Sequence, residues 1–584
     1  MVNLTAAQKA AFNPDNGNGP RHIDWSVRFE IIQQEVYGNL TPTASSQDSY
    51  ISRIAQTVNG NLDSVDWASY ELNGCPLDGS KLIPPTPSQA PDAQIGLVMN
   101  VLSDANGNFA SAQTYTATAA YNYNLIAITL IWGYAPAADF SVRWYNGTTL
   151  LHTETVTGNT SVESVLNVAV QNVNRVVVSV TKSALPLHRC RLANFVPGAI
   201  GNYDKTNSDS LMVEEVADLS GERAVSYSMK LVTDNFAREF NIFEPDGIYS
   251  YFQERMLLKP KIAALAANGE WVSVDMGSFY LTRPLLKGNL SKLELEANGL
   301  IGMLQDMTYI KGTYKTATLA RFALDVAEDA GISITYPSSF NSISMTSFAS
   351  VLSHADLLMR IAQATGTVLV QRRNDTLEFV APVTTAMQTL TAADYRLQDG
   401  ISPADDKIFN TVVVDSHSMS IASSNTELAR APVSGSVTGI TYYAERAVYT
   451  VGGVQYTVSY GASAGQSYTV SGGEIIISGR LLNITASPRE VTIRQQNEPA
   501  YIKEVRGNYF IQAVNVATVA ARQLDIWANK RREVKIGYPG YPYFEMGDVV
   551  NYNTGGSNTQ GFVLTKNRLT LAGGMRGDLG SRER

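Results

Sequence analysis

The sequence predicts a mainly β, multidomain protein, α+β overall, and three observations carry that expectation. Segments alternate apolar and polar residues with strict period two, as Ile23, Trp25, Val27, Phe29 and Ile31 do against Asp24, Ser26, Arg28 and Glu30. Such alternation marks a strand with one buried face. Charged residues are only 17% of the 584-residue chain, while Ser, Thr, Asn, Gly and Tyr abound, which suits β-rich surfaces packed on neighbours. A chain this long exceeds one core and calls for roughly three to five domains.

Taken in order, residues 1–76 read as the N-terminal strands of a first β-barrel, with His22–Ile32 followed by a second strand over Tyr50–Ile54. Residues 77–94 contain Pro84, Pro85, Pro87 and Pro91, which continue neither helix nor central strand and read as a linker. Residues 95–200 read as an inserted β-sandwich. Its strands are expected at Leu125–Trp132, Phe140–Trp144, Leu150–Thr155, Val162–Val170 and Arg175–Val180, with tight turns at Asn106-Gly107 and Asn146-Gly147. An insertion costs little where its ends meet at a surface loop. Residues 201–310 resume the first barrel through Ala224–Leu231, Trp271–Leu281 and Leu290–Ala297.

Residues 311–400 change period and read as a small helix–helix–hairpin α+β domain. Thr316 is placed to cap a helix carrying Leu319, Phe322, Ala323, Val326 and Ala330 on one face, stopped by Gly331. Ser353 and Asp356 form a capping box before Leu357, Leu358, Ile361 and Ala364, stopped by Gly366. A hairpin turns at Arg372–Asp375. Residues 401–550 read as a second β-barrel with a long helix, Ile511–Arg532, whose stripe is Val516, Ala520, Leu524 and Trp527. Residues 551–584 end the chain as a strand and a polar, Gly-rich tail.

A net charge of -8 argues against a general nucleic-acid binder, so no nucleic acid sequence recognition is expected. The stretch from Met1 lacks a secretory signal, and no run of eighteen apolar residues suggests a membrane span. Cys75 and Cys190 are too few for a disulfide framework; two buried thiols or one bridge both fit. Gly461-Ala462-Ser463-Ala464-Gly465 has the letters of a nucleophile elbow, but strand-like sequence follows where a helix is needed. His22, His152, His188, His354 and His417 are dispersed, and no metal-ligand spacing occurs. His188 and Cys190 could share a strand face, but the pair reads as a strand-end coincidence. Asp104, Asn106 and Asn108 have calcium-loop spacing without the loop's closing Glu, and an Asn-Gly turn accounts for them. The pairs Glu214-Glu215 and Asp405-Asp406 read as solvated. Trp132, Trp144 and Tyr145 could bind a ligand if exposed, against the competing reading of core packing. No catalytic, cofactor-binding or metal residue is expected, no cofactor, and no enzyme activity.

Three blocks nevertheless resemble one family. They are the strands of Leu211–Ala297, including Val274-Asp275-Met276-Gly277-Ser278-Phe279-Tyr280-Leu281, the helix–helix–hairpin unit through Val380, and Asn410–Gly577. The last contains Gly547-Asp548-Val549 and a strand with Lys566, Leu569, Gly573 and Gly574. In this order they resemble the tail hub (baseplate hub or tail tip) proteins of long-tailed bacteriophages. The inserted module looks like a discoidin-like sandwich, through Leu77-Asp78-Gly79-Ser80, Ser103–Phe109 and Val142–Tyr145. The resemblance implies a virion protein, made in the host cytoplasm, forming a homotrimer with two related barrels per subunit. Its implied partners are the distal tail or tail tube protein, the tape measure protein, a tail fibre or tip protein and a host surface glycan. It implies a structural role joining a sixfold tube to a threefold tip and a part in host attachment. A carbohydrate-binding adhesin is the alternative, and a cell-wall glycosidase the weaker one. Family hubs often continue into a peptidoglycan-cleaving domain; none follows before Arg584, so lysis is not expected.

Overall fold

The computed structural model describes residues 4–12, 22–48, 52–58, 96–132, 135–235, 255–287, 291–309, 313–350, 352–381, 386, 388–391, 396–403, 408–432, 446–451, 454–459, 463–471, 473–495, 498–528, 532–552 and 560–583. The Pro-rich stretch 77–94, Cys75, Tyr50, Asp405, Asp406, Gly461 and Ala462 lie outside these residues. The chain is mainly β and divides into two compact units. One comprises residues 1–27, 203–236 and 257–584, the other 28–202 and 237–256.

In the first unit an antiparallel sheet is assembled from distant parts of the chain. Its neighbours in order are Arg396–Pro403, Arg532–Tyr538, Met575–Glu583, Gln560–Leu571, Ser208–Val216, Ser228–Asp234, Lys292–Gly299, Phe279–Lys287 and Leu257–Leu265. Alternation decides the faces: Leu211 and Val213 turn inward from Ser208–Val216, opposite Leu231 and Met229 on one side and Leu571 and Leu569 on the other. The final segment is therefore a paired strand, not the expected tail. In Met575–Glu583 the inward positions are Gly577, Leu579 and Ser581, so it carries little apolar alternation to read. Instead the Tyr538 ring fills the space over Gly577, where an added Cβ would fall 2.2 Å from a ring carbon. The expected strand Trp271–Leu281 divides at Gly277, whose φ of 85° breaks the extended run into Trp271–Asp275 and Phe279–Lys287.

Two helices pack beside this sheet. Leu319–Ala330 and His354–Thr365 bury Phe322, Val326, Leu358 and Ile361 in a core shared with Leu304, Phe379 and Val412. Both end on glycines in the left-handed region, Gly331 and Gly366. Ser353 caps the second by accepting from the Asp356 N–H at 3.0 Å. The first is capped by Thr318, which accepts from the Arg321 N–H at 3.2 Å, and not by Thr316. Pairing of Thr313–Thr318 with Ser344–Ala349 holds Thr316 extended opposite Thr346, so the helix starts two residues later. The helix expected from Ile511 begins at Val516 and runs to Ala528. Asn508 and Asn515 take up the preceding backbone in turns: Asn508 Oδ1 accepts from Phe510 N, and Asn515 Nδ2 donates to the carbonyls of Ala364 and Phe510. Such side-chain bonds compete with helix. Arg532 begins the next strand.

The second unit is a sandwich. Its larger sheet orders Leu40–Ala44, Asn108–Leu125, Val170–Ser183, Ala137–Asn146 and Thr149–Val156. Facing it are Leu97–Leu102 with Arg189–Leu192, and Ile128–Ile131 with Glu163–Leu166. Between them lie Tyr115, Phe140, Val142, Trp144, Val176 and Phe195. Residues from 28 onward belong here, although residues 1–76 were expected in the first barrel. The reason is that Leu40–Ala44 pairs along Asn108–Leu125, while the buried Tyr37 hydroxyl donates to Asn194 Oδ1. Of the strand expected over Tyr50–Ile54, Tyr50 and Ile51 lie outside the described residues, Ser52 and Arg53 are in no regular element, and Ile54 opens a 3-10 turn, Ile54–Val58. No helix among the described residues is long and apolar enough to cross a membrane.

The cap assignment is testable. Thr318→Ala is expected to cost about 1 kcal/mol, whereas Thr316→Val, which keeps a β-branched residue in the strand, should change stability by less. Thermal melts of the two variants compare them directly.

Candidate functional site

The most elaborate polar arrangement lies at the tip of the hairpin formed by Val368–Gln371 and Thr376–Val380. Asp375 takes a φ of 62° to close the turn, and Arg372 and Arg373 project from it into the first unit. Arg373 grips Glu215 with a two-pronged contact, Nε to Oε1 at 3.0 Å and Nη2 to Oε2 at 2.9 Å. Its Nη2 also donates to the Phe544 carbonyl at 2.6 Å. Glu215 further accepts from Asn567 Nδ2 at 3.4 Å. Arg372 pairs with Glu378 and lies 3.6 Å from Glu545, and donates to the Met546 carbonyl at 3.3 Å. One residue earlier, Gln371 accepts from Leu300 N at 2.7 Å and donates to the Ser278 carbonyl at 3.1 Å. A Cβ on Gly299 would lie 2.3 Å from the Gln371 amide oxygen, so glycine is what lets the hairpin approach. The turn thus fastens together the 208–216 strand, the 276–278 loop, the start of the helix at Leu300 and the 541–548 loop.

Electrostatics follow from burial. The Glu215 and Arg373 side chains are only 1% and 5% exposed, so each needs the other. Burial pushes the Glu215 carboxyl up, against the pull of Arg373 and Asn567. Burial also opposes the charge on Arg373, and Glu215 and Glu545 more than offset it. The expectation that Glu214-Glu215 is a solvated pair is corrected here: strand alternation sends the two to opposite faces. Glu214 meets Lys566 at 2.5 Å and Arg568 at 2.9 Å. Burial pushes its carboxyl up, but these cations hold it below the ordinary 4.5. Glu294, between Lys230 and Lys287 at 2.8 Å each, is held low in the same way.

The other sequence candidates separate. Asp104 accepts from the backbone N–H groups of Asn106 and Asn108, both at 2.8 Å, closing a turn on Gly107. His188 bonds the Pro186 carbonyl oxygen through Nδ1 at 2.6 Å. Cys190 is a buried free thiol pushed up to about 12 by burial, the reverse of an activated nucleophile. The His354 ring bridges the Met307 carbonyl oxygen and the Asp329 carboxylate at 2.8 and 2.9 Å, and His417 is buried beside Ile511. The backbone at Ser463 opens the Ser463–Ser471 strand. Among the described residues no three His, Cys, Asp or Glu side chains gather as a metal site.

In the sandwich Trp144 and Trp132 are core residues, and the Trp132 indole donates to Ser164 at 3.0 Å. Tyr145 instead lies half-buried on the outer face, with the Arg175 guanidinium 4.4 Å from its ring centre. Register builds this face in rows across the five strands. One row is Thr41, Thr118, Arg175, Tyr145 and Leu150; the next is Thr43, Thr116, Val177, Arg143 and Thr153. A third carries Thr114, Ser179, Ser141 and Thr155. Sequence reading missed both arrangements, because the arginine–glutamate contact joins residues 158 positions apart and the Asn108–Leu125 strand buries alanines at Ala117 and Ala119.

No protein-family model matches the chain, and no curated protein matches it. Among solved structures it is similar to the 43 kDa tail protein of prophage MuSo2 from Shewanella oneidensis, at 11% identity over 65% of this chain and 95% of that one, with a TM-score of 0.38. It is also similar to a tail protein from Neisseria meningitidis MC58, at 12% identity over 66% and 94%, with a TM-score of 0.39. A chitosan-binding module from a Paenibacillus chitosanase/glucanase is covered to 93% by 27% of this chain, at 16% identity and a TM-score of 0.18. TM-scores this low carry nothing further for this chain.

Two outcomes are expected. Arg373→Met should cost about 3–5 kcal/mol by leaving Glu215 buried and unpaired, and Glu215→Leu combined with Arg373→Met should restore most of it; calorimetry of the three proteins measures the cycle. Glu214 and Glu294 have folded values below 4.5, so their contribution is present above the unfolded value and is lost as pH falls through the folded ones. Melting temperature should therefore drop as pH falls below about 4.5, and less steeply in Glu214→Gln.

Proposed function

We propose that this chain is a non-catalytic structural hub of a phage tail tip or baseplate. It works as a homotrimer in the virion, joining the tail tube to the distal tip, with the tape measure protein and a fibre or tip protein as further neighbours. The observation that carries the reading is the way three hub-like sequence blocks close into one unit. The strand from the first block, Ser208–Val216, pairs with Gln560–Leu571 from the last. The hairpin of the middle block is fastened to both by Arg373, through Glu215 and the Phe544 carbonyl. A rigid scaffold of this kind suits a part whose work is mechanical, and few charged residues suit extensive contact with other subunits. The separate sandwich suits a role in host attachment.

The test is assembly. Reconstruction of purified tails should place three copies around the axis at the distal end, and mass photometry of concentrated protein should give a trimer. A single copy per assembled tail, or absence from the tip, overturns the reading.

A further inference from the structure

The outer face of the five-stranded sandwich sheet has a composition that the core does not require. Its three rows present hydroxyls at most positions, two guanidiniums and one aromatic ring, and no carboxylate, in a chain whose net charge is -8. Arg143 is exposed, and no hydrogen bond or ion pair engages it among the described residues. Arg175 is spent on Tyr145 and the Gly147 carbonyl, which it meets at 2.9 Å, and so stiffens the ring's edge of the sheet. Elsewhere on the molecule exposed strand faces carry matched charges, as with Lys230, Glu296 and Arg283. Here the cations are left uncompensated.

We propose that this face binds an anionic glycan polymer, lying across the strands along the rows. Neighbouring strands step by about 4.7–4.9 Å, so successive hydroxyls offer a repeating set of donors and acceptors to a chain of linked polyols. Arg143 supplies a charge-assisted bond to an acidic group on the polymer, and Tyr145 with Leu150, 50% exposed, offers apolar contact to a sugar face. The face lacks the buried aromatic anchors of a protein hot spot, and two cations are too few to hold nucleic acid. The proposal deepens only the attachment part of the reading above; tail assembly is tested separately and stands or falls on its own.

The experiment uses the full chain in affinity electrophoresis and biolayer interferometry. The probes are polygalacturonate, dextran and polyglutamate. Binding to polygalacturonate, stronger than to dextran and to polyglutamate, is expected. Arg143→Ala should weaken it about tenfold, as loss of a bond to a charged group does, with unchanged melting because the residue is exposed. Thr116→Val with Thr153→Val, which keeps the strand-forming shape, should weaken it further, while Arg283→Ala in the other unit should not. Failure to bind polygalacturonate, equal binding to polyglutamate, or binding unaffected by Arg143→Ala overturns the proposal.

Discussion

A guanidinium buried as deeply as that of Arg373 is tolerable only where a carboxylate and a carbonyl already wait for it. That requirement fixes much of the first unit. Glu215 reaches it because strand alternation turns residue 215 inward while Leu211 and Val213 fill the same face. The Phe544 carbonyl reaches it because Tyr541, Tyr543 and Phe544 pack against one another, with ring centres 5.2 to 5.6 Å apart, and hold the loop. The hairpin enters only because Gly299 leaves room beside Gln371. Such a pair adds little net stability over an apolar core of the same shape, whereas removal of one partner leaves a buried charge alone and is costly.

What was legible in the sequence follows the same physics. Ile23–Ile32 announced itself because bulky apolar residues alternate with polar ones, and so did the later half of Ala224–Leu231, although the strand there runs over Ser228–Asp234 and leaves Ala224–Tyr227 outside it. Both helix stops were visible, since a left-handed terminal residue favours glycine. The strand Met575–Glu583 was hidden because its inward positions hold Gly577 and Ser581, and its packing comes from Tyr538 on another strand. Thr316 has the side chain of a cap, but pairing with Ser344–Ala349 keeps it extended and leaves the role to Thr318. The helix start at Ile511 failed through two asparagines whose partners, at Arg360 and Ala364, are about 150 residues away. Local signals survived where packing agreed with them and failed where a distant contact overruled them.

Of the candidate site, the sequence made only the ingredients visible. Glu214-Glu215 was noticed as a pair, but a doublet on a strand is split between two faces, one carboxyl among lysine and arginine at the surface and one sealed inside. Tyr145 was noticed as an aromatic, yet its setting among threonines depends on the register of four other segments. The neighbouring Trp144, by contrast, lies wholly in the core.

The pairing of Ser208–Val216 with Gln560–Leu571 also dictates when the protein can be finished. Arg568 and Glu214 touch across 354 positions, so on the ribosome the sheet waits with one central strand edge open until nearly the whole chain has emerged. Domains generally fold as units from the N-terminal side, and residues 28–202 have emerged long before then. Long-range closure of this kind is slow, and in the interval the 208–216 edge is a template for the wrong strand. Glu214 and Glu215, one charge on each face of that edge, make it a poor surface for stray association until Arg373, Lys566 and Arg568 have been synthesised to meet them.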